Sequence, residues 1–159
     1  MATVEVRFTP LPAHVRTARL VATAVARRSG VDESLLDEVR LAVGEACSRA
    51  VESHRLHCPA EPVRVALTDD GERFEVVVTD AAPADVTVTD AVSAPGPAPV
   101  VAGDGAGGSM GSALVVDGVV QQLPAGVGLA VIVGLADDVR VVPSGGGTSI
   151  AMSWKRRTL

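Results

Sequence analysis

The sequence predicts an α/β protein built as a two-layer sandwich, in which a mixed, mostly antiparallel sheet carries helices on one face. Three observations support this fold class. Short runs of alternating or β-branched residues indicate strands, and two of these runs are joined by an Asp-Gly turn. Two longer segments have apolar residues at helical spacing. The resulting order, β, α, α, β, β, loop, α, β, β, fits a sandwich rather than a doubly wound parallel sheet.

The first third of the chain contains a strand and two helices. Residues 4–8 alternate as a strand does, and residues 14–29 have apolar positions at helical spacing before Gly30 closes the helix. Asp32 can cap a second, longer helix that reaches about His54. The apolar positions of this second helix form one stripe: Leu35, Leu36, Val39, Val43, Ala46 and Ala50.

A hairpin follows the second helix. Residues 63–67 and 74–78 read as two antiparallel strands joined at residues 69–71, because Asp-Gly tolerates a positive φ. At about 81–122 the periodicity is lost, and the Pro/Gly-rich composition predicts a long, mobile, lid-like loop.

The remaining elements are a short helix, two strands and the turn between them. The helix is expected at about 128–135 and the strands at 139–142 and 148–154. Inside the loop, residues 103–108 match the dinucleotide-binding pattern GxGxxG, but residues 113–120 prefer strand or coil. A flexible linker is therefore the better interpretation, since that pattern works only when a helix follows it.

Length and composition predict one domain over residues 1–159. The net charge of −5 argues against broad attraction to nucleic acid. No apolar run approaches the roughly 18 residues of a membrane span, and the first residues lack a secretory pattern. We therefore expect a soluble, cytoplasmic protein with a protein or small-molecule partner.

The cysteine and histidine residues do not predict a metal site. Cys47 and Cys58 lack CxxC spacing, and Cys47 falls in a helical pattern typical of buried cysteine. His54, His57 and Cys58 lie close together in sequence, but zinc requires further ligands that the sequence does not supply. The favoured interpretation is the polar end of the second helix.

The most informative segment is EVRLAVGEACSRAV, residues 38–51. On physics alone, Glu45 and Arg49 would be an ordinary ion pair on a helix surface. The segment nevertheless resembles the N-box helix of the anti-sigma-factor serine kinases, commonly written ELRLAVSEACTNAVEHA. These RsbW-like proteins belong to the GHKL, or Bergerat-fold, ATPase superfamily. The resemblance implies a Bergerat fold, in which Glu45 corresponds to the catalytic general base.

Three later landmarks follow the order of this family, so the resemblance spans nearly the whole chain. Asp80 stands where the family places the aspartate that binds the adenine amino group. Gly126 and Gly128 correspond to the second glycine box, ahead of a helix. Thr148 corresponds to the threonine of the closing Gly-Gly-Thr, which supports adenine recognition. The resemblance therefore implies a site for ATP.

This sequence departs from the family at the residues that hold the nucleotide. Arg49 replaces the asparagine that ligates Mg²⁺, and a guanidinium has no lone pair to offer a metal. Arg49 could instead contact a phosphate directly or pair with Glu45. Ala82 and Ala84 replace both glycines of the first glycine box, so their Cβ atoms would crowd the purine or restrict the loop. These departures predict weak ATP binding, impaired Mg²⁺ binding and slow or absent phosphotransfer.

Three alternative functions stay open, of which the first two follow from the resemblance. The preferred one is a regulator that binds a sigma factor or a STAS-domain anti-anti-sigma factor and controls transcription by partner switching; homodimers are implied. The second is an active ATP-dependent serine kinase that phosphorylates the STAS protein. The third is an accessory domain with an unrelated small-molecule ligand.

Overall fold

The computed structural model describes residues 1–83, 113–116, 119–122 and 127–156 of the chain. Its elements in chain order are β1 (Ala2–Phe8), α1 (Pro12–Arg28), a 3-10 turn (Glu33–Leu35), α2 (Leu36–His57), β2 (Val63–Asp69), β3 (Arg73–Asp80), β4 (Ala113–Val116), β5 (Val119–Gln122), α3 (Val127–Leu135), β6 (Asp138–Ser144) and β7 (Gly147–Lys155). No helix in these ranges is long and apolar enough to cross a membrane.

Five strands form one open sheet in the order β1-β2-β3-β7-β6, and all of its pairs are antiparallel. Strands β4 and β5 form a separate antiparallel pair. The predicted two-layer α/β class is confirmed, and the main sheet is antiparallel throughout rather than mixed. Strand β7, the last of these strands in the chain, lies between β3 and β6.

The hydrophobic core lies between the sheet and the helices. Alternate residues of the inner strands are buried, as the period-2 pattern predicts: Val63, Val65, Leu67, Phe74, Val76, Val78, Ile150, Met152 and Trp154. They share one cluster with α1 and α2 residues, many of them alanine and valine. Trp154 is fully buried, and its indole N–H donates to the carbonyl of Leu135 at 3.0 Å, so α3 is tied to β7.

The opposite face of the sheet is polar. The hydroxyls of Thr79 and Ser149 lie 2.9 Å apart across β3 and β7. Arg140 donates to Glu75 at 2.9 Å from the edge strand β6. This polar surface explains why the helices cover only the other face, where the apolar side chains point.

The helix ends differ from the predicted boundaries by a few residues. Helix α1 begins at Pro12, because proline suits a first turn that needs no N–H donor. Gly30, with φ 83°, follows its end. Asp32 does act as a cap, since its side chain accepts from the Ser34 N–H at 3.0 Å, but it caps the 3-10 turn rather than α2. Helix α2 then continues to His57, beyond the predicted end.

The predicted loop at about 81–122 needs a correction at its end. Strands β4 and β5 occupy the last part of that range, so it is not loop throughout. Both strands are rich in valine, which favours a pleated conformation over coil. The Pro/Gly-rich part of the predicted loop, including residues 103–108, lies outside the described residues.

Candidate functional site

Helix α2 carries the two residues on which the predicted site depends, one turn apart. Glu45 is buried at 8% exposure, and its Oε2 atom has no hydrogen-bond partner among the described residues. Arg49 is half-buried. A buried carboxylate oxygen without a partner is costly in an apolar interior, so its position requires an explanation. Neither side chain lies on the open outer surface of the helix.

Asp80 and Thr148 face each other at the ends of strands β3 and β7. Burial raises the pKa of the Asp80 carboxyl above its ordinary value, while hydrogen bonds from the backbone N–H groups of Thr148 and Ala82 oppose that rise. The positive charge of Arg49 also lowers this pKa, which means that Arg49 lies near enough to Asp80 to act on it. The fold therefore brings the α2 cation to the predicted adenine-binding residues.

Ala82 is buried immediately after β3, with an exposure of 1%. Its N–H donates to Asp80 Oδ1 at 3.1 Å, so the carboxylate holds the turn that leaves the sheet. Ala82 does not belong to the main core cluster. Its methyl group is thus enclosed beside Asp80, at a position where the resembled family has glycine.

The other predicted site residues are described only in part. Gly128 lies in the first turn of α3, because that helix begins at Val127 rather than after the glycine box. Gly126 and Ala84 lie outside the described residues. Their expected contacts with a nucleotide stay predictions.

Two neighbours of the site were not apparent from the sequence. A Cβ atom at Gly44 would lie 2.8 Å from Arg19 Cζ, so the missing side chain makes room for an arginine that crosses from α1. The Nε of Arg19 is buried without a hydrogen-bond partner among the described residues. The resembled helix has serine at this position, and that departure was the available signal.

His54 is the second of these neighbours, and it is fully buried near the end of α2. Its Nδ1 lies 2.9 Å from the carbonyl of Glu61, and its Nε2 accepts from the Ala81 N–H at 2.9 Å. The end of α2 is polar as predicted, but His54 within it is buried, because backbone partners satisfy both ring nitrogens. Within the described ranges, no group of three metal-ligating side chains comes together.

An open cleft of about 240 Å³ lies beside the end of β3. It is lined by Glu61, Pro62, Arg64, Thr79, Asp80, Ala81, Ser144 and Gly145. Arg64 and Thr79 alternate with buried strand residues, which puts this cleft on the polar face of the sheet. The cleft therefore lies on the opposite face of the sheet from the hydrophobic core.

Comparison with known proteins identifies the family. Residues 8–154 match the family model described as a histidine kinase-like ATPase domain. The chain belongs to this family. No curated protein sequence matches it.

A solved structure has the same histidine kinase-like ATPase fold. It is the crystal structure of the RsbU and RsbW domains of Rv1364c from Mycobacterium tuberculosis, with a TM-score of 0.58 and 17% sequence identity. The match covers 96% of this chain but only 32% of the chain in that structure. At this identity the similarity establishes the fold alone.

Proposed function

We propose that this chain is a regulatory histidine kinase-like ATPase domain that controls transcription by partner switching. In this proposal it binds a sigma factor and releases it to a STAS-domain anti-anti-sigma factor, and its Mg²⁺-ATP chemistry is weakened or lost. The observation that supports the weakened Mg²⁺-ATP chemistry is Arg49, a half-buried cation whose charge acts on Asp80.

Arg49 makes the usual Mg²⁺ site a poor fit. Mg²⁺ requires oxygen ligands in near-octahedral geometry, and a guanidinium supplies only N–H donors. A positive charge in that place also repels a divalent cation. The carboxylates of Glu45 and Asp80 can still accept hydrogen bonds from a ligand. Arg49, which stands where the family has its metal-binding asparagine, offers no metal ligand.

Ala82 supports weak nucleotide binding through a separate effect. Its enclosed methyl group stands beside the Asp80 carboxylate, where a purine amino group would have to approach. Glycine at such a position leaves room for a ligand, and a Cβ atom removes it. The fold can persist while this site changes, because stability depends on the core and chemistry depends on a few side chains.

The partner-switching role rests on analogy. The solved structure with the same fold contains RsbU and RsbW domains. We extend the RsbW-like role to this chain. We also propose the homodimer that the N-box resemblance implies. Light scattering at micromolar concentration tests the dimer directly.

One observation favours a second candidate, an active serine kinase. Glu45 is retained, and its buried Oε2 has no partner among the described residues. Such an oxygen could accept the proton of a serine hydroxyl on a STAS protein. ATP would supply the phosphoryl group in this case, and Arg49 would contact a phosphate directly.

Calorimetric titration with ATP, with and without Mg²⁺, separates the two candidates. For the unaltered chain we expect no measurable heat at micromolar protein. Arg49→Asn restores an oxygen ligand, and we expect it to gain Mg²⁺-dependent affinity of about tenfold or more, or ~1.4 kcal/mol. Arg40→Asn is the matched control, because Arg40 is an exposed arginine of the same helix paired with Asp37. Micromolar Mg²⁺-dependent binding by the unaltered chain would favour the kinase.

Partner binding needs its own test. The purified chain is mixed with a sigma factor and a STAS-domain protein from the same organism, separately and together, and complexes are resolved by size-exclusion chromatography. We expect a complex with each and displacement of one by the other. If neither protein forms a complex, the partner-switching proposal fails and the accessory-domain alternative remains.

A further inference from the structure

His54 lies between three segments of the chain that meet beside Asp80. It belongs to the last turn of α2 and is fully buried. One ring nitrogen reaches the segment before β2 through the carbonyl of Glu61, and the other reaches the segment after β3 through the N–H of Ala81. A single imidazole thus joins the helix to both segments.

The two partners determine the tautomer of the ring. A backbone N–H can only donate, so Nε2 must accept from Ala81 and cannot carry a proton. A carbonyl can only accept, so Nδ1 must carry the proton that it donates to Glu61. The geometry therefore requires a neutral imidazole with its proton on Nδ1.

We infer that His54 is a positioning residue, which sets the backbone of Asp80, Ala81 and Ala82 through its unprotonated Nε2. Ala81 is the first residue beyond β3, after the strand pairing of Asp80 with Thr148 ends. The Asp80 carboxylate then accepts from the N–H of Ala82 at 3.1 Å. Consecutive N–H groups are held by His54 and by Asp80, so this turn has little freedom.

Several charged groups lie near the His54 ring. Asp80 is close enough for the positive charge of Arg49 to act on it, and both Asp80 and Glu61 act on Cys58 at the end of α2. Protonation of Nε2 would leave the Ala81 N–H facing another donor, so the geometry requires this nitrogen to act as an acceptor.

The test exploits two amides that each replace one ring nitrogen. A glutamine oxygen can take the place of Nε2, and an asparagine nitrogen can take the place of Nδ1. His54→Gln should keep the Ala81 N–H bonded, whereas His54→Asn should keep only the bond to Glu61. Hydrogen exchange of the Ala81 and Ala82 amides is measured for both variants, with circular dichroism and thermal melting as the check on folding.

We expect exchange at Ala81 to be about tenfold or more faster in His54→Asn than in His54→Gln. Equal exchange in the two variants would show that the ring only fills space, and would overturn the inference.

The wild-type chain supplies a measurement that needs no variant. In ¹⁵N NMR spectra, Nδ1 should give a protonated-type signal and Nε2 an unprotonated-type signal. A scalar coupling across the hydrogen bond should connect the Ala81 amide to Nε2. The opposite tautomer, or no coupling, would refute the inference even if both variants failed to fold. Neither result depends on whether the chain binds a sigma factor.

Discussion

Gly147 lies directly against the backbone of Asp80: a Cβ atom on Gly147 would be 2.7 Å from the Asp80 carbonyl carbon. It would also be 2.8 Å from the Cα of Ala81. Both atoms belong to the backbone and cannot rotate away, so any side chain at residue 147 must push β7 away from β3. The absence of a side chain at Gly147 therefore allows the backbone of Asp80 and Ala81 to pack directly against β7.

Gly147→Ala should destabilise the fold and disturb the Asp80 turn. We expect a loss of about 1–3 kcal/mol in the free energy of unfolding, as for overpacked sites generally. Urea denaturation measures it. Gly134→Ala is the control, because a Cβ atom there would meet nothing within 4 Å. That helix substitution should be neutral or stabilise by up to ~1 kcal/mol. Equal stability of Gly147→Ala and the wild type would contradict the close approach.

The two cysteine thiols should differ sharply in reactivity. Cys47 is fully buried, and this burial raises its pKa to about 12. Cys58 is partly exposed, and its pKa is also raised, by burial first and then by Glu61 and Asp80. A thiol reagent at mildly alkaline pH should label one thiol per native chain and two in denaturant. Cys58→Ser should abolish native labelling, and Cys47→Ser should leave it unchanged. Native labelling of Cys58→Ser would show that Cys47 is accessible.

Asp80 should make stability fall as the pH rises. Burial raises its folded pKa above the ordinary value of 3.8, so between the two pKa values the folded state binds more protons than the unfolded state. The contribution of Asp80 is therefore greatest at low pH and is lost as the pH rises through the raised pKa. The stability of Asp80→Asn relative to wild type should increase from about pH 3 to about pH 7, by at most ~1 kcal/mol because solvent screens a half-exposed carboxylate. Denaturant melts across this range measure the difference, and a decrease would contradict the sign.

Arg156 should matter more to stability than the exposed Arg140. The Nη1 of Arg156 donates to the Asp69 carboxylate at 3.0 Å and to the Gly71 carbonyl at 2.9 Å, which fastens the β2–β3 turn. Arg156→Ala should cost about 1–2 kcal/mol, since charged hydrogen bonds with limited exposure are lost. Arg140→Ala removes a pair whose arginine is 65% exposed and should cost under ~0.5 kcal/mol. Thermal melts of both variants check the order, and the reverse order would refute this assignment.

The sequence predicted those parts of the fold that local chemistry determines. The β2–β3 hairpin follows from Asp70 and Gly71: the Asp70 carboxylate accepts from the N–H groups of Glu72 and Arg73, and Gly71 adopts φ 96°. The buried stripe of α2 follows in the same way from 3.6-residue spacing. Each of these features involves residues only a few positions apart.

Contacts between distant residues could not be predicted in this way. The partners of His54 include Ala81, which lies 27 positions later, so no local pattern indicates that the ring is buried. Gly44 of α2 lies against Arg19 of α1, and no local pattern indicates this contact either. In the candidate site, the proximity of Arg49 to Asp80 likewise depends on how α2 packs on β3. Contacts of this kind can be identified only from the three-dimensional structure.

The place of β7 has a consequence for how the chain assembles during synthesis. It follows all the other strands of the main sheet in the chain, yet it joins β3 to β6. Until the ribosome has released residues 147–155, β3 keeps an unpaired edge and β6 has no partner in the sheet, so the nascent chain presents an open strand edge of the kind that promotes aggregation. Completion of the sheet must therefore follow translation of its last segment.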